Sequence, residues 1–158
     1  METTIHGALL AMLAGCIFSD VKWRRIPNFL CLGIALLGLA ETALDTPGAT
    51  FGRLLISGAL FVGGLALHQK KILGGGDIKL LAALSIFLAP IELRLFILLT
   101  LIAGGFVGLF YMGLGWLRRL RDKDAPLVSN VPYALAIVVG FMFIRPMFLG
   151  EFIPRIGH

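Results

Sequence analysis

Leu95-Phe96-Ile97-Leu98-Leu99-Thr100-Leu101-Ile102-Ala103-Gly104-Gly105-Phe106-Val107-Gly108-Leu109-Phe110-Tyr111-Met112-Gly113-Leu114-Gly115-Trp116 runs without a charged side chain. About 20 apolar residues suffice to cross a hydrocarbon core of about 30 Å. Residues 94–116 therefore read as a membrane-crossing helix. Five more apolar runs follow the same logic, at roughly 5–19, 28–46, 51–68, 77–92 and 131–149. The predicted fold is all-α: a polytopic membrane helical bundle of about six transmembrane helices, forming one integral-membrane domain over 1–158. The first and fourth runs are short. From Ile78 to Ala89 a helix rises only about 18 Å. The fourth span must then continue through Pro90 with a kink, or begin inside the membrane.

Composition agrees. Of 158 residues, 58% are hydrophobic and 15% charged, against about 25% charged in a soluble domain. Mean hydropathy is +0.94. The basic pI near 9.7 does not point to nucleic acid, because the basic residues fall in short connectors. Lys22, Arg24 and Arg25 lie in loop 20–27. Lys70, Lys71 and Lys79 lie in loop 69–79, and Arg118, Arg119, Arg121 and Lys123 in loop 117–130. Arg53, Arg94, Arg145 and Arg155 fall on the other side. The excess of Lys and Arg belongs in the cytoplasm, which puts both termini outside it.

The first run has the length of a signal-peptide core. Met1-Glu2 gives it no basic start, and Asp20-Val21-Lys22 is a poor cleavage site, so it reads as a retained helix. Cys16 and Cys31 sit inside apolar runs without CxxC or metal spacing and read as buried apolar side chains. Gly58, Gly63, Gly64, Gly104, Gly105, Gly108 and Gly113 are assigned to close helix packing.

Two acids stand out. Asp77 follows Gly74-Gly75-Gly76 and opens the fourth span; Asp20 closes the first. By the parity of the spans both face the cytoplasmic boundary. An ionisable residue at the edge of a bilayer costs several kcal/mol unless hydrated or paired. Singly, each has a plain reading: Asp77 as a helix cap and Asp20 as an acid paired with Lys22 or Arg24. Together they suit water activation, since two close carboxylates share a proton, one acting as base and the other as acid. Such chemistry needs no metal or cofactor, and none is expected. His6, His68 and His158 are isolated, and no serine has a recognisable His partner. Three glycines in a row disfavour helix by about 1 kcal/mol each relative to alanine, so Gly74, Gly75 and Gly76 read as a mobile connection against which a substrate backbone can lie. Lys79, two positions past Asp77, points from another side of the helix and is a candidate for a substrate carboxylate or a lipid headgroup. Pro27-Asn28 reads as the start of the second helix.

These residues resemble a known family. Asp20 with Ile26-Pro27-Asn28, then the GxGD pattern Gly74-Gly75-Gly76-Asp77 with Ile78-Lys79-Leu80, is similar to the bacterial type IV prepilin peptidases, which are GxGD-type membrane aspartic peptidases. Val131-Pro132-Tyr133-Ala134-Leu135-Ala136 is similar to the family's last-helix motif. The resemblance implies a multi-pass enzyme of the bacterial cytoplasmic (inner) membrane that removes the short basic leader from a membrane-inserted prepilin, with Asp20 and Asp77 catalytic. Pilus assembly machinery is an implied partner. Larger members carry a cytoplasmic segment with two CxxC pairs, associated with N-methylation. This sequence has no CxxC and resembles the short members serving Flp or Tad pili. The alternative is a non-enzymatic membrane scaffold or small transport subunit with both aspartates as caps.

Overall fold

The computed structural model describes residues 2–45, 47–70, 73–121 and 133–145. It contains six helices, and no strand among the described residues: α1 (Glu2–Trp23), α2 (Asn28–Asp45), α3 (Pro47–Gln69), α4 (Gly75–Ser85), α5 (Pro90–Arg121) and α6 (Ala134–Ile144). Each expected span overlaps one of them. Three stretches are long and apolar enough to cross a membrane, Thr4–Trp23, Gly48–Gln69 and Pro90–Leu117. Asn28–Leu44 and Ala134–Ile144 are apolar but shorter, and α4 has only 11 residues. Large apolar side chains face outward, among them Phe106 at 70% and Phe143 at 75% exposure. In water such a surface would aggregate; against lipid it is the ordinary outer face of a membrane protein.

α4 is the hub, packed on α2, α3 and α6, while α5 lies along α6 and α1 along α2. The core joins Leu9 and Leu13 of α1, Ile34 of α2, Leu80 and Leu84 of α4, Phe87, Phe96 of α5 and Phe141 of α6. Phe141 meets Phe87 and Phe96 edge-on, with centroids 5.8 and 6.0 Å apart. Cys16 and Cys31 belong to this core as free thiols.

Of the two alternatives expected for the fourth span, the kinked continuation through Pro90 is not what forms. α4 ends at Ser85, and Pro90 begins α5 rather than kinking α4. Proline is well suited to a first helical position because its missing N–H has no partner to lose there. Glu92 completes the start, its Oε2 accepting the Ala89 N–H at 2.7 Å. The intervening turn leaves carbonyls outside any helix. Thr42 Oγ1 donates to Ile86 O at 3.1 Å, and Arg53 Nη1 to Phe87 O at 3.3 Å. Nearby, Arg145 at the end of α6 pairs with buried Glu41, and His6 Nε2 lies 3.8 Å from that carboxylate.

Other differences have local causes. α1 runs on past Asp20 to Trp23, so this acid is helical rather than at a helix end. α5 stays helical to Arg121, beyond the expected boundary at 116. Gly75 and Gly76 form the first turn of α4 instead of a mobile loop. Packing favours that outcome: a Cβ on Gly76 would lie 3.1 Å from Ile26 Cβ, so glycine lets this turn seat closely against the α1–α2 connection. The packing assignment holds for Gly64, against Ile78, and for Gly104, against Tyr133. Gly58, Gly63, Gly105, Gly108 and Gly113 make no such contact among the described residues, with nothing within 4 Å of a would-be Cβ. Lys71, Lys123, Arg155, His158, Val131 and Pro132, and the side chains of Arg118, Arg119 and Arg121, lie outside what is described.

Candidate active site

Five chain segments meet at one end of the bundle: the last turns of α1 and α3, the start of α2, the start of α4 and the start of α6. The α1–α2 connection is held tightly. α1 stops because Arg24 adopts a left-handed φ of 52° and its N–H bonds back to Asp20 O at 2.9 Å. Ser19 Oγ donates to Arg25 O at 2.6 Å. Leu30 N–H donates to Pro27 O at 3.1 Å, so Pro27-Asn28 starts α2 as the sequence predicts. This folded connection brings Asp20 against the start of α4.

Asp20 is only 8% exposed. Its Oδ2 accepts the Ala134 N–H at 3.0 Å, at the first residue of α6. A helix N-terminus presents free N–H groups and the positive end of its dipole, a favourable seat for a carboxylate. Asp77 lies in the first turn of α4 behind Gly74, whose backbone is extended. Its carboxylate accepts the Gly74 N–H and folds back over that residue. A Cβ on Gly74 would lie 2.5 Å from Asp77 Oδ2.

Asp20 and Asp77 line one polar cleft of about 310 Å³, together with Arg24, Arg25, Asn28, Gly74–Gly76 and Lys79. Lys79 Nζ donates to Asn28 Oδ1 at 2.8 Å, tying α4 to α2 beside the two acids. All six residues singled out from the sequence therefore share this cleft. Three partners were not legible there: the Ala134 N–H, the Asn28 amide and the Ser19 hydroxyl. Ala134 and Asn28 lie 114 and 51 residues from their partners, and nothing in sequence spacing pairs residues so far apart. The only local signal was Pro27-Asn28, read as a helix start and not as an anchor for Lys79.

Asp77 lies outside all three candidate spans. Burial, and then the Asp20 charge, push its carboxyl up from the usual 3.8 to about 6, against the opposing pull of the Gly74 N–H. The folded state thus holds a proton that the unfolded chain releases between pH 3.8 and 6. Stability from this group is fully present below pH 3.8 and lost as pH rises through 6, leaving a penalty of about 2–3 kcal/mol above it. Asn cannot ionise and still accepts the Gly74 N–H. Asp77→Asn is therefore expected to melt in detergent roughly 5 °C or more above the parent at pH 8, with the gap closing at pH 4. A gap that is equal at both values contradicts the buried-charge account.

The profile of the type IV leader peptidase family matches residues 7–109. A prepilin leader peptidase/N-methyltransferase of Legionella pneumophila is 32% identical over 128 residues. The match covers 75% of this chain and 44% of that protein, so the chain spans less than half the length of its relative. No solved structure matches.

Proposed function

From a chain that belongs to the type IV leader peptidase family, we propose an aspartic endopeptidase of the short Flp or Tad type. It removes the basic leader of membrane-inserted prepilins at the cytoplasmic face of the inner membrane. The observation that carries this reading is the shared cleft of Asp20 and Asp77, two carboxylates brought together from different helices.

In this reading Asp20, seated on the N-terminus of α6, is the base. It takes a proton from water, and the oxygen attacks the scissile carbonyl. Asp77, whose carboxyl is pushed up by burial, protonates the departing amide nitrogen. Hydrolysis leaves Asp20 protonated and Asp77 ionised; one proton transfer through the cleft resets the pair. Lys79, fixed by Asn28, and the bare backbone of Gly74–Gly76 line the path of an extended substrate segment. Extension is required because a helical amide is shielded by its own hydrogen bonds.

The test is co-expression with candidate prepilins, scored for leader removal. A matching prepilin is expected to lose its leader only when this chain is present. Intact precursor in every pairing, with the protein inserted at normal level, would overturn the reading. The topology has its own check. Single cysteines at positions 24, 71 and 121 are expected to label only from the cytoplasm, and one at position 48 only from outside. Reversed labelling removes both aspartates from the compartment where the leader lies.

A further inference from the structure

The polar cleft opens into a second, larger concavity. An apolar groove of about 1010 Å³ runs along the bundle between α3 and α5, with α4 and the start of α6 between them. Asp77 lines both the groove and the cleft, so the two form one continuous surface. On α3 the lining extends from Ile56 to Leu67, and on α5 from Leu93 to Gly105. At 1.5 Å per residue these walls are about 16 and 18 Å long, or three helical turns.

Gly63 on one wall and Gly105 on the other have nothing described within 4 Å of a would-be Cβ. They are thus not spent on packing among the described residues. Small residues on a membrane helix allow another helix backbone to approach closely, and here one lines each wall of the groove. The geometry points to a docking site for the apolar helix of the substrate, the segment that follows the scissile bond, clamped between α3 and α5 with its first residues at Asp77. This inference rests on the peptidase reading above. It adds how the enzyme aims: α4 runs away from Asp77 alongside the groove, so a helix seated there delivers the extended residues just before it into the cleft. A lipid seated the same way would set its anionic phosphate at the groove's carboxylate, whereas a peptide sets a neutral amide there.

The test compares two substrates and four variants. The substrates are an intact membrane-inserted prepilin and a soluble peptide spanning the leader and scissile bond without the apolar helix. Gly63→Leu and Gly105→Leu fill the groove without striking the fold. Each is expected to raise KM for intact prepilin at least tenfold with kcat within twofold, and to lower the intact-to-peptide ratio of kcat/KM by at least tenfold. Gly58→Leu and Gly108→Leu lie on the same two helices in equally open positions outside the groove, and are expected to shift that ratio by less than twofold. Docking is also read apart from cleavage, with benzophenone groups along the prepilin helix and the Asp77→Asn protein. Crosslinks are expected on 56–67 and 93–105. If a lipid tail or a second copy of this chain fills the groove, the probes miss both segments and the groove variants leave KM alone, which overturns the proposal. Crosslinks in the groove with no cleavage by the parent protein would instead overturn the peptidase reading and support the docking site.

Discussion

Asp20→Asn and Asp77→Asn are each expected to reduce prepilin cleavage at least about a thousandfold, because each removes one half of a proton-transfer pair. Neither change should unseat the fold. An asparagine oxygen at position 20 still accepts the Ala134 N–H that anchors α6, and one at position 77 still accepts the Gly74 N–H. Expression and detergent melting should therefore equal or exceed those of the parent. The double variant should be no worse than either single one, since the pair acts as a unit. Initial rates with a purified prepilin decide the matter. Cleavage within tenfold of the parent in either variant removes that aspartate from the mechanism and returns it to the role of a helix cap.

Gly74→Ala is expected to have the next largest effect, a loss of about a hundredfold in kcat with melting within a few degrees of the parent. The argument is steric and local. The new methyl carbon would occupy a point 2.5 Å from Asp77 Oδ2, so the carboxylate must rotate away. The backbone at Gly74 is extended, with φ −68° and ψ 140°, which alanine adopts freely, so the fold itself is not strained. Misplacing a reacting group by about 1 Å can cost a hundredfold. Gly76→Val makes the contrast. Its side chain would press on Ile26 at 3.1 Å, so activity and stability should fall together. Equal melting losses in both variants would show that Gly74, like Gly76, serves packing alone.

Much of this arrangement was legible in the chain because it is written in long apolar runs and in two acids that interrupt them. The described helices overlap the apolar runs, and Asp20 and Asp77, the two acids that stood out beside those runs, share a cleft. The boundaries were less legible. α4 is short because Pro90 and Glu92 start a new helix, a capping effect that hydropathy does not register. The glycine run looked like a hinge because helix propensity sees only the cost of glycine, whereas the seat against Ile26 is a tertiary contact. The same limit applied to Gly63 and Gly105: composition cannot tell a glycine packed against its own fold from one left open. The bond from Ala134 to Asp20 joins residues at the two ends of the sequence, and no local pattern announces it.

The short α4 also bears on how the protein partitions electrical potential. At 1.5 Å per residue, Gly75–Ser85 rises only about 16 Å, while a bilayer core measures about 30 Å. Polar groups stand beyond both of its ends: the aspartate cleft at one, and Arg53, Glu41 and Arg145 at the other. Leu80, Leu84, Phe87, Phe96 and Phe141, each no more than 1% exposed, are the insulation between them. Where water reaches both polar clusters, a membrane voltage drops mainly across that plug, and the field there exceeds that in the surrounding lipid. The close fit of those side chains then acts as an electrical seal between the two clusters.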